Sequence, residues 1–296
     1  KGRDYATLQK GGGALQKRRL GAWESLLAYG WVLLVLLIVL APHAGILLMS
    51  LAKVWSFSVL PDAYTLAHYA TVFSDASGMI GNTLLYCVLA AGLDVVLGTA
   101  IAYLILRTRL PARQWLDWLA SAALAIPGLV LAIGYLRLFK GVHVPFTDKL
   151  VIHSWVLIML AYAVRRLPYA LRSCMAALQQ VHVSLEEAAQ SLGASRLSSI
   201  RRVVVPLMAG GILAGFVTSF ITAAVELSAT LLLVSTESQA PMSLGIYLYM
   251  QSIAGRGPGA ALGVLAVVVV GLGTYFSHRF VERSRVTTST STKAGA

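Results

Sequence analysis

The fold class that this sequence predicts is an all-α membrane protein with six transmembrane helices, and three observations predict it. Of 296 residues, 57% are hydrophobic and 12% charged, and the mean hydropathy is +0.75; such a composition excludes a soluble domain, a disordered chain and a nucleic-acid-binding module. The apolar residues fall into stretches of about 20 that are nearly free of charge, the length that crosses a bilayer as a helix. The basic residues, which give a net charge of +12, lie mostly in alternate loops, as topology signals do.

Taken in order, the candidate spans are Ser25 to Leu51, Ile80 to Leu106, Leu116 to Leu136, Leu150 to Val164, Leu207 to Val234 and Gly259 to Phe276. The first begins about 25 residues in and is too long for a signal-peptide core. The second contains Asp94, the third the helix-breaking run Ile126-Pro127-Gly128, and the fifth Glu226. The fourth is short and spans only if its polar flanks extend it into the interface. Nineteen Lys and Arg fall before the first span, after the second and fourth, and after the sixth, against five elsewhere. This asymmetry predicts cytoplasmic termini and an even number of spans, which also supports the fourth.

Three domains follow: a basic segment 1–24, a six-helix transmembrane domain 25–280 and a low-complexity tail 281–296 expected to be cytoplasmic and disordered. The chain begins with Lys1, so a processed or tagged start, or a portion of something longer, is expected. Between the first two spans, residues 54–79 are rich in aromatic and small polar residues, suited to an interfacial belt or to a docked partner. Cys87 and Cys174 have no partner spacing and read as packing residues. The six histidines show no paired spacing that builds a metal site, so no metal ligands and no catalytic residues are expected.

The loop from Arg165 to Pro206 carries the most information. Tyr169, Leu171, Met175 and Leu178 recur at helical spacing. Ser184 precedes Glu187 at the offset of a capping box, which predicts a second short helix over Leu185 to Leu192. Gly193 stands where a helix C-cap needs positive φ, and Ser195 can cap a further helix running towards Pro206. Helix, glycine turn, helix makes a rigid knob suited to docking in a cleft. Physics alone allows equally an amphipathic pair lying on lipid.

Glu187-Ala188-Ala189, three residues, Gly193, nine residues and then Val203-Val204-Val205-Pro206 resemble the EAA loop of ABC importer permeases. The pattern departs only in Val203 for Ile and Val205 for Leu, both apolar. The resemblance covers about residues 27–280 and includes Asn82-Thr83, Ala102-Tyr103 and Ile126-Pro127-Gly128. It implies the MetI-like type I ABC importer permease fold with a cytoplasmic coupling helix, in a bacterial inner membrane. The run 226–233, Glu-Leu-Ser-Ala-Thr-Leu-Leu-Leu, is similar to the ferric-iron and 2-aminoethylphosphonate branch. The N-terminal basic, glycine-rich stretch also resembles the linker between the halves of fused ferric permeases.

The resemblance implies that residues 184–194 fit the cleft of a cytoplasmic ABC ATPase dimer, with Glu186, Glu187, Ala188, Ala189, Leu192, Gly193, Ala194 and Pro206 as the coupling residues. Glu187 would both cap its helix and touch the ATPase. A periplasmic substrate-binding protein would deliver cargo, and a second six-helix unit would complete the pathway. The chain has no phosphate loop and no Gly-Lys pair, so it is not expected to be an enzyme or to hold a cofactor; ATP and Mg belong to the partner. Ferric iron is the expected cargo, with 2-aminoethylphosphonate or another small organic anion as the alternative.

Pathway and gating candidates are Glu226, Ser228, Thr230, Asp94, Asn82, Pro127 and Gly128. Asp94 lies about 21 Å from one end of its span and about 18 Å from the other, near the midplane, where it lines the pathway or packs as a hydrogen-bonded acid. Glu226 lies about 28 Å along the fifth span, which predicts the outer interface; it gates the cavity mouth or merely ends a helix. Pro127-Gly128 breaks a helix facing a cavity or makes a packed kink. The acids leave room for a different class, an ion-coupled secondary transporter, against which the EAA-type loop and the lack of an evident inverted repeat argue.

Overall fold

The computed structural model describes residues 20–55, 58–146, 148 and 150–293, with the side chains of 276–278 and 280–293 excepted. Most of the basic segment 1–24 and the last three residues therefore lie outside the described residues. By packing, the chain divides into residues 1–45 and 46–296. The first unit holds most of α1 (Ala22–Leu51), an apolar helix with Pro42 inside it. The elements described next belong to the second unit.

There, α2 (Ala67–Asp75) leads into α3 (Ser77–Arg107), the second expected span. The third expected span is two helices, α4 (Arg113–Ala125) and α5 (Gly128–Leu138), whose axes differ by 109°. Proline causes the break: the residue before it, Ile126, is driven to extended backbone (φ −90°, ψ 125°), and Pro127 continues in the polyproline region.

The fourth span is corrected most. A 3-10 turn at Val151–His153 precedes α6 (Trp155–Gln180), which is 26 residues long and contains Arg165, Arg166, Pro168 and Arg172. The loop expected from Arg165 therefore begins only after Gln180. A loop was expected because two adjacent arginines normally mark the end of a span; these two have a carboxylate partner inside the protein. Next come α7 (Val183–Ser191), α8 (Arg196–Ser199), a π-helical turn at Ile200–Val204, α9 (Val205–Leu207) and α10 (Ala209–Ala224).

The fifth expected span also differs, because α10 stops at Ala224 and only a single turn, α11 (Thr230–Leu233), follows. Glu226 sits in that break. A 3-10 turn at Glu237–Gln239, α12 (Met242–Met250) and α13 (Arg256–Lys293) complete the chain. The helical backbone of α13 runs on through 281–293, where a disordered tail was expected. Once a helix is nucleated, each added residue gains a hydrogen bond at little further cost.

Among the described residues, three helices are long and apolar enough to cross a membrane, or up to five if each of two bent pairs counts as one span. The second bent pair is Arg196–Leu207 with Ala209–Ala224, at 71°. The expected total of six rests on α6, which is long enough at about 39 Å but carries three arginines.

The core is a three-helix packing of α3, α6 and α10. Tyr86, Cys87, Ala90 and Ala91 of α3 meet Leu157, Ile158, Ala161 and Tyr162 of α6 and Phe220, Ala223 and Ala224 of α10. The many alanines let the backbones approach closely, the usual solution where lipid offers no hydrophobic drive between helices. Gly98 shows how closely: a Cβ there would lie 3.1 Å from the backbone nitrogen of Leu171. Cys87 and Cys174 are free and buried in these contacts.

Candidate functional site

Two groups of residues bear on function. The first is the segment after α6. Val181 ends that helix, and α7 starts at Val183 with the His182 ring accepting from the Ser184 amide at 3.3 Å. The cap is therefore His182, and the capping box expected of Ser184 and Glu187 does not form, because the helix begins two residues earlier. At the other end Gly193 has φ +87°. Its amide donates to Gln190 O at 2.9 Å and that of Ala194 to Ala189 O at 3.1 Å, the two-bond glycine termination of a helix. Ser195 Oγ then accepts from the Ser198 amide at 3.3 Å and opens α8.

The knob presents Leu192, 90% exposed, with Leu185 and Leu197 also exposed. Glu187, Ala188 and Pro206 are exposed, and Ala189 and Ala194 are half-buried. Glu186 faces the other way. It is 5% exposed and is the one buried residue of α7. Arg107 Nε donates to Glu186 Oε1 at 2.9 Å and Tyr103 Oη to Oε2 at 2.9 Å. Arg107 also reaches the Leu178 carbonyl at 3.2 Å and that of Val181. Adjacent glutamates thus have opposite environments, one facing water and one holding the knob to the helices behind it.

The second group surrounds Glu226, itself 5% exposed. Arg165 Nη1 donates to Glu226 Oε1 at 2.8 Å and Arg166 Nη2 to Oε2. The Ala229 amide, just ahead of the single turn of α11, also donates to Oε1, at 3.2 Å. Its backbone carbonyl accepts from Thr230 Oγ1 at 2.7 Å, Ser243 Oγ at 2.8 Å and Tyr162 Oη at 3.4 Å. The break after α10 leaves carbonyls without helical partners, and these hydroxyls satisfy one of them. Gly128 completes the group. A Cβ there would lie 2.2 Å from Arg165 Nη1 and 2.8 Å from Ser228 Cβ, so only a bare backbone lets α5 start against this cluster.

This geometry corrects the expected placement of Glu226. The sequence places Glu226 at the outer interface and Arg165 and Arg166 in a cytoplasmic loop, at opposite ends of a span, yet both arginines are hydrogen-bonded to Glu226. The continuous α6 and the early end of α10 bring them together. Of the expected pathway residues, Glu226, Ser228, Thr230, Pro127 and Gly128 form one neighbourhood, with Arg165, Arg166 and Tyr162 as members that sequence reasoning missed. The signal for them was present: an acid within an apolar span calls for a basic partner. Asp94 lies elsewhere, fully buried, with Ser219 Oγ donating to its Oδ2 and no partner on Oδ1 among the described residues. Asn82 is separate again, donating to the carbonyls of Ser238 at 2.8 Å and Ala240 at 3.0 Å. Among the described residues no cluster of His, Cys, Asp and Glu is placed to hold a metal ion.

The family of binding-protein-dependent transport system inner membrane components matches residues 94–286, which include both groups of residues. The chain belongs to this family. As one of these inner membrane components it is 29% identical over 236 residues to the ferric transport system permease protein FbpB of Actinobacillus pleuropneumoniae, covering 78% of this chain and 33% of that protein. With a putative ferric transport system permease protein, FbpB 1, of Haemophilus influenzae it shares 30% over 180 residues, or 59% of this chain and 28% of the relative. The chain thus spans about a third of the length of these ferric relatives. The sulfate transport system permease protein CysT of Salmonella typhimurium is 30% identical over 198 residues, 64% of this chain and 67% of the relative.

Solved structures agree on the fold of this inner membrane component. A chain of a bacterial ABC transporter involved in the import of the acidic polysaccharide alginate superposes with a TM-score of 0.68 at 17% identity, covering 88% of this chain and 98% of that one. An inward-facing methionine ABC transporter, MetNI, gives 0.55 at 13% identity, with 74% and 98% covered. The fold is that of the type I importer permeases, as the resemblance of residues 187–206 implied.

Proposed function

We propose that this chain is a transmembrane permease unit of an ATP-driven importer, with both termini cytoplasmic, that couples to an ABC ATPase dimer through the knob formed by α7, Gly193 and α8. The observation that carries the reading is the knob itself. A glycine-terminated helix with Leu192 and Glu187 turned outward is a rigid, partly apolar projection, and apolar surface left in water on a rigid element is an interaction site. Glu187, Ala188, Leu192 and Gly193 then belong to the contact, and Ala189, Ala194 and Pro206 to its frame. The permease hydrolyses no ATP; the ATPase holds ATP and Mg. A periplasmic binding protein delivers cargo, and a second six-helix unit, identical, homologous or covalently joined, completes the path.

The cluster around Glu226 lies where α5, α6, α10 and α11 meet and contains the discontinuous helices from which transporters build passages. Glu226, Ser228, Thr230, Pro127 and Gly128 are assigned to the path or its gate. Ferric iron is the proposed cargo, supported by the similarity to ferric permeases. A small anion is the second reading, favoured by two arginines set against one glutamate and by the similarity to a sulfate permease.

The test is ATP hydrolysis by the chain reconstituted with its ATPase, with the binding protein empty, loaded with ferric ion, or loaded with sulfate or a phosphonate. Stimulation by the ferric-loaded form alone supports iron, and stimulation by an anion-loaded form alone transfers the assignment. A chain that recruits no ATPase defeats the importer reading.

A further inference from the structure

The attachment of the knob to the rest of the molecule is unusual. A short helix on a protein surface is ordinarily held by an apolar stripe, yet the one buried residue of α7 is Glu186, and Leu185, Glu187 and Ala188 around it are exposed. Both carboxylate oxygens are used. Oε1 accepts from Arg107 at the last residue of α3, and Oε2 from Tyr103 one turn earlier on the same helix. The two partners are four residues apart, about 6 Å along the axis, so the carboxylate grips α3 at two heights.

Arg107 is itself held, at 12% side-chain exposure, by the carbonyls of Leu178 and Val181 at the end of α6. From α8, Arg196 lies over the Tyr103 ring at 5.6 Å, with its Nε 3.4 Å from the hydroxyl. One carboxylate and one guanidinium therefore link α3, α6 and α7. Apolar side chains slide past one another at small cost, whereas paired charge-assisted hydrogen bonds are directional and short. A push on α7 must move α3 or break both bonds. Helix α3 then runs through the core, against α6 and α10.

We infer that Glu186, Arg107 and Tyr103 form a strut that passes movement of the knob into α3, and that Glu186 is a positioning residue rather than a contact for the ATPase. The inference rests on the importer reading and separates the roles of two adjacent glutamates: Glu187 faces the partner and Glu186 faces the permease.

The experiment uses the whole chain reconstituted with its ATPase and binding protein. Spin labels are placed at Gln190→Cys on α7 and Gly78→Cys at the far end of α3, both exposed positions; the native cysteines are buried. The 190-to-78 distance is read without nucleotide and after trapping with ATP and vanadate. In the otherwise unchanged chain it stays constant, because α7 and α3 move as one body. In Glu186→Gln and Tyr103→Phe it shifts on trapping, while ATPase affinity stays the same and the stimulation of hydrolysis by loaded binding protein drops roughly tenfold for Glu186→Gln. The swap Glu186→Arg with Arg107→Glu regains the constant distance. Lost ATPase affinity in Glu186→Gln overturns the strut in favour of a direct contact. A distance that shifts already in the parent, or that stays constant in every variant, overturns it as well. Failure of the parent chain to bind any ATPase defeats the importer reading first, and the strut falls with it.

Discussion

Glu186 and Glu226 are both buried carboxylates held by arginine, but their partners differ. Glu186 accepts from one guanidinium, whose charge cancels its own, and from one neutral phenol. Glu226 has two guanidiniums, leaving one positive charge in excess. The first arrangement satisfies the carboxylate at the base of an exposed knob and fastens one helix to another. The second sits where three helices end or begin, and its arginines come from the middle of α6. A buried acid is therefore not a single kind of feature. What its partners leave uncompensated decides whether it acts as a fastener or as a charged site.

The largest effect that sharpens this contrast is expected for Glu226→Ala. It strands two buried guanidiniums, and breaking a buried pair from one side costs about 3–5 kcal/mol. The thermal unfolding midpoint in detergent should fall steeply, and uptake with it. Replacing Arg165, Arg166 and Glu226 together by Met should restore the midpoint but not uptake, since a well-packed apolar set can match a buried ion cluster. If the triple variant transports normally, the cluster is only structural.

Next is Gly128→Ala, whose Cβ meets the Arg165 guanidinium at 2.2 Å. An overpacking cost of about 1–3 kcal/mol is expected, read as a smaller drop in the midpoint, and a further Arg165→Lys change should relieve part of it. Gly193→Val follows. At φ +87° a side chain costs about 1–2 kcal/mol, and a β-branched one is the least suited. Membrane insertion should persist while uptake is lost at retained ATP hydrolysis. Uptake at the parental rate would remove the knob from the coupling path. The smallest effect on stability is expected for Leu192→Ser, at an exposed position. The midpoint should not move, but ATPase binding should weaken, and equal binding would place the contact elsewhere on the loop.

Much of the segment from α7 to α8 was legible in the sequence because its determinants are local. Gly193 and Ser195 act within one turn of chain, and both take the backbone roles their residue types suggest. The start of α7 was misplaced because His182 is a less common cap than serine, and a plausible Ser184-to-Glu187 pattern stood two residues away. The Glu226 cluster was only half legible. Its acid, glycine and proline were visible, but the arginines were assigned to a loop by the same charge rule that organises the rest of the chain.

By itself the sequence determined that the chain is helical and apolar, where its long hydrophobic helices run, and where glycine and proline interrupt them, since each depends on residues close together in the chain. Only the tertiary structure decided that α6 continues through Arg165 and Arg166 and that α10 stops before Glu226. It also decided which of two adjacent glutamates faces inward. The physical reason is common to all three. An ionised group inside a protein is stable only against a partner of opposite charge; the partners here lie 60, 61 and 79 residues away, and no local pattern encodes that distance.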